Sequence, residues 1–451
     1  MKKLALIIIF TVIIKITAIS QECCLPNGIA FYTQTEIDNF QTNYPNCTEI
    51  EGDVVINGGP SITNLNGLNV LQSVGGSLTI YQCYELTSLT GLDALTTING
   101  DLDIDWNESL TSLNGLENLT SISGMLQIMK NELLIDISGL KSLTSIGHSL
   151  TLIDISGIAD LSALSNLTHI GTSINVILNS NLRSLAGLDS IVNIEGPIFI
   201  SENNNLESLT GLENLETIAG YLHIDRCPLL ENLNGLNTLC TIGGNFTLFL
   251  NDALINLDGL ENLNSIGGKI NLVYNPNLES ITSLINVTSI AGDLFINHNN
   301  SLSSLQGLNN ILHNSIENLY IEANPLLSVC NVRSICDYIV SPTGATEFYM
   351  NTTGCNTKEE VEEACDYSTM DENPTEKVRL FPNPANDILN ISHLINNGIM
   401  DVSIYNCMGQ LELHKTTIGN KIDVSMLKNG IYIVEIRISN DKYRTNLIIR
   451  R

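Results

Sequence analysis

A Gly-Leu pair returns every 24 residues along most of this 451-residue chain. Gly67, Gly91, Gly115, Gly139, Gly187, Gly211, Gly235, Gly259 and Gly307 carry it, and Ala163-Leu164 and Ser283-Leu284 fill the two gaps in register. A fixed period of this length marks a solenoid, in which one coil cannot bury its own apolar side chains and must stack on its neighbours. With the Gly as position 1, apolar residues take positions 2, 5, 8, 12, 14, 20 and 23. The coil of Gly91 shows them as Leu92, Leu95, Ile98, Leu102, Ile104, Leu110 and Leu113. Alternation at 12 and 14 predicts a strand with one face buried, and the lack of a strong 3.6-residue period predicts little helix between strands. Ile50, Gly52, Val54 and Ile56 fall in the same columns one period earlier, so the array is expected over residues 43–330 as about twelve coils, with one inserted residue near His313.

Position 17 is Asn107, Asn131, Asn179, Asn203, Asn251, Asn275, Asn299 and, past the insertion, Asn324; Cys83 and Cys227 replace it in two coils. Stacked buried Asn side chains can bond the backbone of their own turn and the next, at roughly 1 kcal/mol net per bond. The Leu-x-Ile-x-x-Asn segment resembles the strand of leucine-rich repeats. The Gly-Leu-x-x-Leu-x-x-Ile-x-Gly segment is similar to receptor L domains. The resemblance implies a mainly β fold, a right-handed parallel β-solenoid, and says little about ligand, since such folds host many binding roles.

The ends follow a different logic. Lys2 and Lys3, the apolar run Leu4 to Ile14 and Ala18-Ile19-Ser20 read as a cleavable export signal over residues 1–20. No other apolar run approaches membrane length, so no transmembrane segment is expected in the mature protein. Cysteines cluster beside the array, which in an exported chain points to disulfides. Residues 21–42 read as an N-terminal cap with a short helix around Ile37 and Phe40, tied by Cys24 to Cys47, with Cys23 to Cys47 as the alternative. Residues 331–366 read as a C-terminal cap, with Thr357 to Glu360 as a capping box. Its three cysteines together with Cys330 allow three pairings; resemblance to leucine-rich C-caps implies Cys330–Cys355 and Cys336–Cys365.

Residues 367–377 are polar and read as a linker. Beyond them, 378–451, short alternating strands suggest a small Ig-like β-sandwich. Pro382, Asn383 and Pro384, then Gly409, then Gly430-Ile431-Tyr432 and a basic end resemble the C-terminal sorting domain of type IX secretion cargo. That implies a bacterial source, the secretion machinery as a partner, and a secreted or outer-surface location, with the domain removed after delivery.

Residues 21–377 hold 42 Asp/Glu and 8 Lys/Arg, a body that repels phosphate backbones, so nucleic acid is not expected as a partner. No nucleophile motif, zinc motif or phosphate loop occurs, and no two of the repeat histidines share a coil, so the expectation is no enzyme and no cofactor. Asp101, Asp103 and Asp105 alternate along one strand and could face a calcium, but EF-hand and nonapeptide spacing is missing, so a solvated acidic face and no metal are expected. Positions 11, 13, 15 and 16 should face away from the core. Eight of the array's eleven aromatics stand there: Tyr81, Trp106, Phe199, Tyr221, Phe249, Tyr274, Phe295 and Tyr320. Rigid aromatics on a sheet suit binding. With His223 and Arg226 as polar anchors, the face from Phe199 to Tyr320 is the expected site for an extracellular protein or glycan, and Trp106 is a separate candidate. The alternative is a structural surface or matrix component without a discrete ligand.

Overall fold

The computed structural model describes residues 23–365 and, further along, 378–381, 385–393, 400–406, 409–417, 419–428, 430–438 and 441–449. The signal at 1–20, the linker at 367–377 and Pro382-Asn383-Pro384 lie outside the described residues.

Positions 12 to 15 form a strand in coil after coil, and the strands stack into one parallel sheet of fourteen, from Ile29–Phe31 to Thr346–Tyr349. Neighbours pair one period apart: Leu102, Leu126 and Leu150 align, as do Ile104, Ile128 and Leu152. Positions 7 and 8 add narrow ladders of two-residue strands, seven from Cys23–Cys24 to His169–Ile170 and four from Asn193–Ile194 to Ser265–Ile266. All seven apolar columns of the Gly91 coil are fully buried. They belong to one core that runs from Phe31 to Cys365. Each such side chain contributes about 1.5–3 kcal/mol on burial, so the periodic columns are what hold the stack together.

The Gly-Leu corner has two forms. At Gly91, Gly115, Gly187, Gly211, Gly235, Gly259 and Gly307 φ lies between 109° and 116°, a conformation closed to L side chains. At Gly67, Gly139, Ala163 and Ser283 the corner is instead a 3-10 turn, which explains why Ala and Ser are tolerated in that column.

Position 16 is the second special corner. Its residue takes a left-handed φ of 50–60° in every coil from Gln82 to Ala323, and none of them is Gly or Asn. This turn, which costs about 1 kcal/mol or more per residue, swings position 17 inward. Asn107 Nδ2 then donates to the carbonyl of Ile80 at 3.0 Å, its Oδ1 accepts from the Cys83 amide at 2.9 Å, and its own amide donates to Asn131 Oδ1 at 3.0 Å. The ladder continues through Asn324 to Asn351. It starts next to Cys83 and is interrupted by Ile155 and Cys227. Both cysteines are free and buried, and burial raises the Cys227 thiol to about 12, so neither is a nucleophile.

The sheet outlasts the sequence period at both ends. Ile29–Phe31 pairs with Val54–Ile56, and Thr346–Tyr349 pairs with Ile316–Glu322. The helix Gln34–Asp38 starts at a capping box in which Thr33 accepts from the Glu36 amide, and Ile37 and Phe40 close the core. Cys24 is bonded to Cys47. At the other end, helices Arg333–Val340 and Lys358–Ala364 cover the last coil, with Cys330 bonded to Cys355 and Cys336 to Cys365.

The C-terminal domain has its own core. Leu411–Thr417, Met400–Tyr405, Gly430–Ile438 and Asp441–Ile449 form an antiparallel sheet in that order, and Val378–Phe381, Ile388–His393 and Lys421–Asp423 form a second. Tyr432 donates to the Lys428 carbonyl at 2.9 Å, and Gly409 turns with a φ of 76°. Glu435 is buried among Arg437, Lys442 and Arg444. Burial acts to raise its carboxyl, but these three bonds outweigh it and bring it down to about 2.

Candidate ligand-binding face

Position 15 departs from the alternation that predicts it to stand free. Asp105, Ser201, Asp225, Val273 and Glu322 all occupy it and are buried, although they point away from the core. Parallel in-register pairing sets equivalent residues side by side at about 4.8 Å, so large neighbours close over a smaller one.

That spacing also turns the aromatics into a ladder. Phe199 stacks on His223 with ring centroids 4.7 Å apart, and Tyr274 on His298 at 4.4 Å. Phe249 meets Tyr274 edge-on at 5.9 Å, and Phe295 meets Tyr320 at 5.7 Å. The Arg226 guanidinium lies over Phe249 at 5.6 Å. Tyr221 is exposed at the ladder's edge and makes no ring contact among the described residues. Trp106 lies apart, with the Lys130 ammonium 4.2 Å above its ring. Sequence reading did not single out His298 or Lys130. The signal was present, because both occupy position 16, the column of Trp106 and Tyr274.

The ladder's centre is ionic. His223 Nε2 is 3.3 Å from Asp225 Oδ1, Arg226 is 2.6 Å from Asp225 Oδ2, and Glu202 is 3.7 Å from the same guanidinium. Burial acts to raise the Asp225 carboxyl, but the neighbouring His223 and Ser201, with the charges of His223 and Arg226, hold it below the usual range. The polar chain continues at the cap end, where Asn297 donates to Glu322 at 3.0 Å and Tyr349 donates to the same carboxylate at 2.8 Å.

Asp101 does not join Asp103 and Asp105 as a third ligand. Asp101 Oδ1 accepts the Met125 amide of the next coil at 2.7 Å, a backbone tie that Asp53 makes to Ser77 and Asn245 to Lys269. Among the described residues no group of three or more His, Cys, Asp or Glu is arranged to hold a metal ion. Burial raises Asp103, with Asp101's charge adding to it, and raises Asp105 to about 6, aided by the charge of Asp103.

Residues 379–450 match the secretion system C-terminal sorting domain, and residues 46–102 match the receptor L domain. A curated relative, beta-agarase D of Zobellia galactanivorans, is 49% identical over 63 residues, which is 14% of this chain and 13% of that protein. The chain therefore spans only a small part of that relative. The body is a receptor L domain-like parallel β-solenoid, and the type IX sorting domain directs export to the cell surface or the extracellular space. Among the described residues no helix is long and apolar enough to cross a membrane.

Proposed function

We propose that this chain is a non-catalytic binding or adhesion protein of the cell exterior, whose sheet face from Phe199 to Tyr320 receives an extracellular ligand. The observation that carries the reading is the contiguous ladder of Phe199, His223, Arg226, Phe249, Tyr274 and His298 on one face of a rigid sheet. Order imposed by the scaffold removes the entropy cost of assembling such a surface on binding.

The ring geometry favours a protein over a flat-lying sugar. Centroid distances near the strand spacing mean that Phe199 and Tyr274 spend their faces on the neighbouring histidines and offer edges outward. A carbohydrate stacks on an open ring face; a protein surface packs against edges and the steps between them. The agarase name gives a polysaccharide the second place, on 13% of that protein.

Probing protein and glycan arrays with the secreted chain tests the reading. Alanine at Phe199, Tyr221 and Phe295 should abolish the recovered binding and leave the melting temperature nearly unchanged. Retained affinity, or a large loss of stability, would make the ladder scaffold.

A further inference from the structure

Asp105 is 7% exposed, and its Oδ1 has no hydrogen-bond partner. Gln127 donates to its other oxygen at 2.7 Å. Asp103 Oδ1, two residues earlier on the same outward face, is likewise buried and without a partner. Among the described residues neither carboxylate makes an ion pair. Leaving such an atom unmatched costs several kcal/mol for a charged group, and a fold does not keep two side by side without reason.

The same chain shows a cation beside the same kind of oxygen, for Asp225 Oδ1 also makes no hydrogen bond yet lies 3.3 Å from His223 Nε2. Asp225 holds position 15 five coils on, with His223 at position 13 and Arg226 at position 16 as its cations. In the Gly91 coil those two positions are Asp103 and Trp106. One cation is thus replaced by a second carboxylate and the other by an aromatic face. That face already attracts a cation, for the Lys130 ammonium sits 4.2 Å above it. Trp106 is 37% exposed, and indole is the strongest of the side-chain cation–π acceptors.

We infer that Asp103, Asp105 and Trp106 form a binding site for an alkylammonium group, the chemistry of a lysine side chain. The ammonium donates to the two unmatched oxygens, and its alkyl stem lies along the indole in the place of Lys130. Tyr81 and Met129 flank Asp105 in the sheet register, and both are half-buried side chains rather than backbone, so rotamer changes open the way.

The site should respond to pH. The titratable and charged groups facing Asp105 are Asp101 and Asp103 on its own strand, Tyr81 from the preceding coil and Lys130 from the following one. Asp105 changes charge between mildly acidic and neutral pH, because burial raises its carboxyl to about 6. A proton on Asp105, which it holds up to about pH 6, competes with the ammonium.

The test is calorimetric titration of the full chain with Nα-acetyl-lysine methylamide, alongside its norleucine isostere and the arginine analogue. Saturable binding of the lysine compound is expected, with norleucine weaker by about tenfold or more and arginine by several-fold, the guanidinium being too broad to reach both oxygens. Asp105→Asn, which removes an unpaired charge and so keeps the fold, should weaken binding by about tenfold, and lowering the pH from neutral to well below 6 should do the same. Trp106→Arg, which supplies an internal cation as Arg226 does, should abolish it. Equal binding of norleucine, no heat at about 10 mM ligand, or unchanged affinity in Asp105→Asn would each overturn the assignment. None of these results bears on the ladder between Phe199 and Tyr320, because the two regions share no residue.

Discussion

Asp105 and Asp225 occupy the same position of coils five repeats apart, in strands with the same burial pattern, and titrate in opposite directions. Backbone, register and depth are common to both. What differs is the company: Gln127 and a second carboxylate for Asp105, an imidazole and a guanidinium for Asp225. A solenoid thus separates two jobs that a globular fold mixes. The apolar columns decide where a side chain stands, and the outward columns of three adjacent coils decide its charge. Each coil can carry a different site on an unchanged scaffold.

The comparison breaks most sharply at Asp225. Replacing His223 and Arg226 together by alanine leaves a buried carboxylate with no cation and should cost about 3 kcal/mol at neutral pH, read as a lower denaturation midpoint. Adding Asp225→Asn should recover most of the loss. If the double variant is as stable as the wild type, the ion pairs are ornaments of the surface.

At Asp105 the sign reverses. Its folded value near 6 stands above the unfolded value of 3.8, so the folded state binds the proton more tightly. Stability from this group is full below about pH 3.8 and falls as the pH rises through 6. Asp105→Asn should therefore stabilise the chain by about 1–3 kcal/mol at pH 8 and by almost nothing at pH 4. Denaturation at the two pH values measures the difference. Asp225, held below its usual value, does the opposite: its contribution is present above 3.8 and is lost as acid protonates it.

Transplanting the ionic group sharpens the contrast. Asp103→His with Trp106→Arg rebuilds the His223-Asp225-Arg226 arrangement around Asp105 and should bring its titration below the usual carboxylate range, visible by NMR, with a stability gain of about 1 kcal/mol. The smallest effect belongs to Tyr221→Ala. Being exposed and free of ring contacts, it should shift stability by no more than about 0.5 kcal/mol, while weakening any ligand held by the Phe199 face.

Much of this was legible before any coordinate. The coil period, the strand at 12 to 15 and the burial of Leu102 and Ile104 follow from a pattern repeated in each coil, as does the Asn107 ladder. The aromatic column was legible too, because Phe199, Tyr274 and Tyr320 fall at positions whose direction alternation fixes. Even Lys130 above Trp106 is one period away and could have been read as a neighbour. At Asp101, Asp103 and Asp105 alternation reaches no further than a shared face. A shared face says nothing of the backbone amide that Asp101 takes up in the next coil.

The sequence by itself determined the solenoid, because burial of apolar columns is local, additive and repeated, so each coil states the same requirement. The tertiary structure alone decided the left-handed turn at position 16 and the closing of neighbours over position 15. It also decided which carboxylates found a cation. Those depend on rotamers and distances: one coil's sequence offers Asp225 both His223 and Arg226, but only the fold sets them 3.3 and 2.6 Å from its oxygens.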